Sequence, residues 1–139
     1  MRKAPAPDPT VVARLKELTD FSNSEINEMA KAGQVIHLPE SWSVIWEKTP
    51  AHAAYYILEG EVSIRRKGEE IATLGAGDFI GEVAIISHRL RTASVVTKTK
   101  VTAINFSTEH LAELSEKVPK IGEALRATSA LRLEADSGG

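Results

Sequence analysis

The residues of this chain that could do chemistry are concentrated between Gly77 and Ser94. Gly81 permits a tight turn or a close backbone approach that a side chain would block. The residues after it could form one helical turn, whose free N–H groups favour an anion. Arg91 carries a planar, permanently charged fork suited to phosphate, whereas Glu82 would repel phosphate and suits a pair of sugar hydroxyls. The stretch therefore predicts a site for a ligand that carries phosphate and ribose together.

The composition of the 139 residues limits what the chain does. With 42% hydrophobic and 26% charged residues, it resembles an ordinary globular domain. The net charge of −2 gives no electrostatic footprint for nucleic acid or an anionic membrane. The absence of cysteine excludes disulfides and thiolate metal sites and suits a reducing cytosol. Because no signal-peptide or membrane-spanning apolar run occurs, we expect one soluble, cytoplasmic domain without nucleic-acid or membrane partners.

Two helices are predicted at the start of the chain, over residues 9–33. The prolines of residues 1–8 disfavour regular pairing, so this segment is expected to be a flexible arm. Asp8 stands immediately before a proline, which is the pattern of an N-cap followed by the first helical residue. Ser22 and Glu25 have the spacing of a capping box, which predicts the start of the second helix.

Short strands with frequent turns are predicted over residues 34–106. About seven of them, separated by turns such as Glu59-Gly60 and Lys67-Gly68, indicate a small antiparallel barrel or roll. Trp42 and Trp46 lie two residues on either side of Val44, so in a regular strand both indoles would share one face. We expect that face to belong to the core.

Helical patterning returns over residues 107–133, where two C-terminal helices are predicted. Ser107 is the expected N-cap of the first, and Pro119 is expected to start the second. Residues 134–139 are expected to be a frayed tail. The chain is therefore predicted to be one mainly-β domain, residues 9–133, with helices at both ends.

These features resemble the cyclic nucleotide-binding domains of bacterial regulators, protein kinases and ion channels. Gly77–Ile86 resembles the G-D-x-F-G-E-hydrophobic-A-L segment of their phosphate-binding cassette. Arg91–Val95 resembles the R-[AST]-A-T-V segment at the usual spacing. The similarity extends to Tyr55–Val62 and Val118–Ile121, and covers about residues 14–133. It implies a double-stranded β-helix, a jelly-roll-like β-roll with N-terminal helices and two C-terminal helices.

The resemblance implies a role for each matched residue. Arg91 would pair with the cyclic phosphate, and Glu82 would accept from the ribose 2′-hydroxyl. Gly81 would allow close approach to the sugar, and backbone N–H groups near Ala84 and Thr92 would complete the phosphate cradle. The ligand implied is cAMP, with cGMP left open because Thr92 lies where some members contact guanine. The predicted ligand-binding set is Gly81, Glu82, Val83, Ala84, Arg91, Thr92 and Ala93.

The implied function is that of a receptor, not an enzyme, with no metal or cofactor besides the nucleotide ligand. Ligand would draw the final helix, around Leu125–Leu133, over the base as a lid. The movement would act on an effector protein or a fused domain outside these residues. The oligomeric state is left open.

Two alternatives stay open. A degenerate member of the family could serve as a protein-interaction scaffold, since Ser41 and Lys48 stand where the family usually has glycines in strand turns. A cupin-like metalloenzyme would need clustered ligands such as His-x-His, a pattern the sequence does not contain. Arg89 is a competing phosphate ligand, but the resemblance places it in a variable loop, where we expect it to be solvated.

Overall fold

Two four-stranded antiparallel sheets follow a pair of helices and precede a second helical region. The computed structural model describes residues 8–46, 52–81 and 93–126, and the structural statements below concern these residues. The predicted arm, except Asp8, and the predicted tail lie outside them. The helices are α1 (Pro9–Leu18), α2 (Asn23–Ala32) and α3 (Thr108–Lys117), and residues 119–126 are also helical. The strands are β1 (Gln34–Leu38), β2 (Ser43–Ile45), β3 (Ala53–Glu59), β4 (Glu61–Arg66), β5 (Glu69–Gly75), β6 (Phe79–Ile80), β7 (Ser94–Thr97) and β8 (Val101–Ser107).

Successive strands lie in different sheets, apart from the β4–β5 hairpin, and this arrangement produces the predicted roll. The first sheet has the order β1-β8-β3-β6 and the second the order β2-β7-β4-β5. Each pairing is antiparallel. The sequence predicted about seven strands, and the described residues form eight, since the two-residue β6 was not foreseen.

The helix starts are the ones that the sequence predicted. The Asp8 carboxylate accepts from the Thr10 N–H at 2.8 Å at the start of α1. Ser22 and Glu25 form both hydrogen bonds of a capping box at the start of α2. The Ser107 hydroxyl accepts from the backbone N–H of the third helical residue of α3. These caps satisfy N–H groups that have no partner within a helix.

Two clusters of buried side chains hold the elements together. The first joins the helices to the first sheet, with Leu15, Met29, Phe106 and Ile121 among its fully buried members. The second lies between the sheets, where its members are Ile45, Ile57, Val62, Ile80, Val95, Val101 and Ala103. Ile57 of the first sheet and Val62 of the second are both 0% exposed, so the roll is closed around this second cluster.

Trp42 and Trp46 do not belong to the core, so that prediction was wrong. Their side chains are 52% and 64% exposed. Both residues flank the short strand β2, which covers only Ser43–Ile45. This strand has a β-bulge at Val44, because Ser43 pairs with Val96 while Ile45 pairs with Val95. Adjacent residues of β7 face opposite sides of the sheet, so the bulge breaks the regular alternation that the prediction assumed, and Ile45 is the buried residue here.

The turn between β1 and β2 is fixed by a buried threonine. The Thr97 hydroxyl donates to the Pro39 carbonyl at 2.6 Å and accepts from the Trp42 N–H at 2.7 Å. The Ser41 N–H donates to the Thr97 carbonyl at 3.0 Å. Ser41 itself has a φ of +61°, a left-handed conformation that favours glycine. The position where the family usually has glycine is therefore one where this chain holds a serine under backbone strain.

Candidate functional site

Gly81 and Ala93 are the two members of the predicted ligand-binding set that the structure describes. Gly81 directly follows β6 in the first sheet and has a φ of +85°, which confirms the predicted need for glycine. Ala93 directly precedes β7 in the second sheet. Both are half-buried. Ile80 and Val95 belong to the same core cluster, so the strands that flank this segment, β6 and β7, both contribute to the interior of the roll.

The other five predicted residues lie outside the described residues. These are Glu82, Val83, Ala84, Arg91 and Thr92. Their roles remain predictions, as does the choice of Arg91 over Arg89. The structure describes the residues at the two ends of this segment, Gly81 after β6 and Ala93 before β7.

A tight turn over residues 75–78 sets the start of the site. The Asp78 N–H donates to the Gly75 carbonyl at 3.1 Å, and the Asp78 carboxylate accepts from the Gly75 N–H at 2.9 Å. Gly77, the third residue of this turn, has a φ of +92°, as a type II turn requires. The Gly77 N–H donates to the Ile57 carbonyl at 2.8 Å, and the Asp78 carbonyl accepts from the Ile57 N–H at 3.0 Å. The turn is thus tied to β3 on one side and leads into β6 on the other.

An aromatic group packs under this turn. The rings of Tyr56 and Phe79 meet edge to face with centroids 4.9 Å apart. Burial, together with the Asp78 carboxylate, raises the pKa of Tyr56 to about 12, while the charge of Arg14 opposes this shift. Arg14 of α1 donates from Nε to the Leu58 carbonyl at 2.8 Å. Tyr56 is therefore neutral at physiological pH and serves the packing of the turn against α1 and β3.

The β4–β5 hairpin offers a partly covered apolar surface beside Ala93. Ile64 pairs with Val95, and Arg65 pairs with Ser94, the residue after Ala93. Burial falls along β4 towards the turn, because Val62 is fully buried while Ile64 is half-buried. Ile71, the extra residue of a bulge opposite Ile64 and Arg65, is 51% exposed. The sequence did not predict that this surface borders the site.

Metal-binding and membrane-spanning features were searched for in the described ranges. Within them, no group of three or more His, Asp or Glu side chains is placed to hold a metal ion. No helix in these ranges has the length and apolar character needed to cross a bilayer.

The comparison with protein families gives the class of this chain. The family described as "Cyclic nucleotide-binding domain" matches residues 35–118, which is more than half of the sequence. The chain belongs to this family, and the resemblance predicted from the motif is confirmed. The β-roll with flanking helices, predicted as the fold, is confirmed as well.

Particular relatives are regulatory proteins by name. Over 86 residues the chain is 36% identical to a cAMP-dependent protein kinase regulatory subunit of Yarrowia lipolytica, covering 60% of this chain and 23% of that protein. Over 128 residues it is 28% identical to a CRP-like cAMP-activated global transcriptional regulator of Mycobacterium tuberculosis, covering 88% of this chain and 57% of that protein. The chain thus spans about half of these relatives' length or less.

A solved structure shares the whole architecture. It is a cyclic nucleotide-binding domain from Methylobacillus flagellatus, which superimposes with a TM-score of 0.76 at 26% identity. The match covers 95% of this chain and 82% of that one.

Proposed function

We propose that this domain is a receptor for a cyclic nucleotide, with cAMP preferred over cGMP, and that it carries out no chemistry on its ligand. The observation that carries the proposal is the position of Gly81 and Ala93, which bring both ends of the phosphate-and-ribose motif to one part of the roll. Membership of the cyclic nucleotide-binding domain family supports the ligand class. The names of the two curated relatives, both of which include cAMP, support the choice of base.

The phosphate and the ribose would be held by the segment between these ends. Arg91 would pair with the cyclic phosphate through its planar fork, assisted by backbone N–H groups near Ala84 and Thr92. Glu82 would accept from the ribose 2′-hydroxyl. The positive φ of Gly81 lets the backbone reverse direction where the sugar would lie, without a side chain in the way.

The base would lie against the apolar side of the β4–β5 hairpin. Ile64, which pairs with Val95 near the start of β7, is half-buried, and Ile71, in the bulge opposite it, is 51% exposed, so apolar area is uncovered there. Covering such a surface with a purine stabilises the complex by removing apolar area from water. Base identity would be read through polar contacts such as that of the Thr92 hydroxyl.

The site is tested by comparing two neighbouring arginines. We expect Arg91→Ala to weaken cAMP binding about 10- to 150-fold, because a charge-assisted hydrogen bond contributes about 1.5–3 kcal/mol. Isothermal titration calorimetry measures the change. Arg89→Ala is the matched control and should bind within about twofold of the wild type, as expected for a solvated side chain. A larger loss in Arg89→Ala than in Arg91→Ala would assign the phosphate to Arg89 instead.

The base preference and the scaffold alternative are tested by the same titration. We expect tighter binding of cAMP than of cGMP, and we expect Thr92→Ala to weaken cGMP more than cAMP. Linear 5′-AMP controls for recognition of the cyclic phosphate. A domain whose melting temperature is unchanged by saturating amounts of either cyclic nucleotide would instead favour the ligand-free scaffold, because a ligand that binds the folded state raises stability.

A further inference from the structure

The turn that precedes the site is held by a carboxylate that the predicted ligand-binding set does not include. The Asp78 side chain accepts from the Gly75 N–H at 2.9 Å, while its backbone N–H donates to the Gly75 carbonyl. The same residue uses its own carbonyl to accept from the Ile57 N–H of β3. Asp78 therefore stabilises the turn through its two hydrogen bonds to Gly75 and connects the turn to the first sheet through its bond to Ile57.

The strand that delivers Gly81 depends on this turn. β6 is two residues long, lies at the edge of its sheet and, among the residues that the structure describes, pairs with Tyr55 and Tyr56 of β3. Two paired residues offer little resistance to a shift of a strand. The hydrogen bonds of Gly77 and Asp78 to Ile57 extend this pairing by one more position on β3. The position of Gly81 is thus set by the turn as much as by the strand.

The geometry points to Asp78 as a positioning residue of the nucleotide site, which fixes where Gly81 lies relative to the first sheet. This inference rests on the proposed function. Binding groups must be held within about 0.5 Å of their productive geometry, so a loosened turn should weaken binding without removing a contact to the ligand.

A charge effect and a positioning role predict opposite changes in nucleotide affinity when this carboxylate is removed. Asp78 is negative, and a negative charge near a phosphate disfavours binding of the anion. If Asp78 acted through its charge alone, its removal would strengthen binding. A positioning role predicts that removal weakens binding, so the direction of the change distinguishes the two.

The test compares three variants by calorimetric titration with cAMP. We expect Asp78→Ala to weaken binding by about tenfold or more, because the Gly75 N–H loses its acceptor. Asp78→Asn keeps an oxygen acceptor and should bind within about threefold of the wild type. Asp8→Ala is the matched control, since it removes a carboxylate that accepts from a backbone N–H at 2.8 Å at the start of α1. It should lower the melting temperature and leave the affinity unchanged.

Amide hydrogen exchange gives a readout that does not require the ligand. In Asp78→Ala, we expect faster exchange at the Gly77 and Ile57 amides, and wild-type protection there in Asp78→Asn and Asp8→Ala. Unchanged affinity or unchanged protection in Asp78→Ala would overturn the inference. If the wild type bound no cyclic nucleotide, the proposed function would fail separately, and the exchange rates would still decide whether the carboxylate holds the turn.

Discussion

Single residues in this domain show where the chain accepts backbone strain. Ser41 has a φ of +61°, and Lys67 has a φ of +54° beside Gly68 in the β4–β5 turn. For Lys67 the strain belongs to a two-residue hairpin turn that needs positive φ at both positions. For Ser41 the surrounding hydrogen bonds to Thr97 impose the conformation. A left-handed residue other than glycine costs about 1–2 kcal/mol, less what its side chain recovers locally.

Ser41→Gly should therefore stabilise the domain. The strain relieved exceeds the extra entropy that glycine gives to the unfolded chain, so we expect a net gain of about 0.5 kcal/mol. In a chain of this size, that corresponds to an increase of about 1–3 °C in melting temperature. Thermal unfolding followed by circular dichroism measures the change. Ser41→Val, which adds a branched side chain at the same φ, should lower the melting temperature. A decrease in Ser41→Gly would indicate that the serine side chain offsets the strain.

At the scale of elements, features that depend on neighbouring residues could be predicted from the sequence, whereas features that depend on pairing with distant strands could not. Asp8, Ser22 and Ser107 were predicted as caps because a cap involves residues within one turn of each other. Gly60 and Gly81 were expected at turns for the same reason, and both have a positive φ. The bulge at Val44 was missed because it depends on pairing with β7, about fifty residues later in the chain. The regular alternation that placed Trp42 and Trp46 in the core therefore does not hold across β2.

The same distinction between local and long-range features applies to the candidate site. The motif predicts seven ligand-binding residues, five of which lie outside the described residues, and Gly81 has a φ of +85°, a conformation that favours glycine. The contribution of Asp78 could not be predicted, because its bond to Gly75 depends on where β3 holds the turn. The apolar surface at Ile64 was missed because burial on one face of a hairpin depends on what lies across the roll.

The capping box of α2 should make stability depend on pH below about 4.5. The Ser22 N–H donates to Glu25 at 2.8 Å and, with a smaller contribution from Lys120, holds the pKa of this carboxyl below its usual value of 4.5. A carboxyl with a lowered folded-state pKa stabilises the fold above its unfolded pKa. That stabilisation is lost as the pH falls through the folded-state value.

Replacing the Glu25 carboxyl should make the free energy of unfolding depend less on pH in the acid range. We expect Glu25→Gln to stay close to wild type at pH 7, since glutamine also completes a capping box, and to lose less stability between pH 5 and pH 3. Urea unfolding at a series of pH values measures the profile. Lys120→Met should retain most of the wild-type pH dependence, because the Ser22 N–H contributes more than Lys120. A wild-type acid slope in Glu25→Gln would contradict this assignment.

At the scale of the whole molecule, the helical residues 119–126 pack against the rest of the domain. Residues 119–126 are helical, and Ile121 and Leu125 are 0% and 2% exposed in the cluster that joins the helices to the first sheet. Exposing either side chain would cost about 1.5–3 kcal/mol. If the final helix moves on binding, we therefore expect the hinge to lie after Leu125. Residues 127–133 of the predicted lid lie outside the described residues.

Limited proteolysis should detect this movement. We expect cAMP to slow tryptic cleavage after Arg126 and Arg132, because a lid held over the base is a poorer substrate. The ligand can shift the lid only by the difference between its affinities for the two states, so protection should saturate with binding. The Arg91→Ala variant, given the same cAMP concentration, controls for effects of the nucleotide on trypsin. Equal cleavage rates with and without saturating cAMP would exclude the lid.

The strand order of the first sheet has a consequence for how the chain acquires its structure. β8 is the last strand in the sequence, yet it lies between β1 and β3 and pairs Gln34 with Asn105. During synthesis, β1 must wait for about seventy further residues before its partner emerges, and such long-range closure makes folding slow. Until then β1 and one edge of β3 lack their neighbour, which makes the growing chain prone to aggregation. We therefore expect chains that terminate before Val101 to be insoluble.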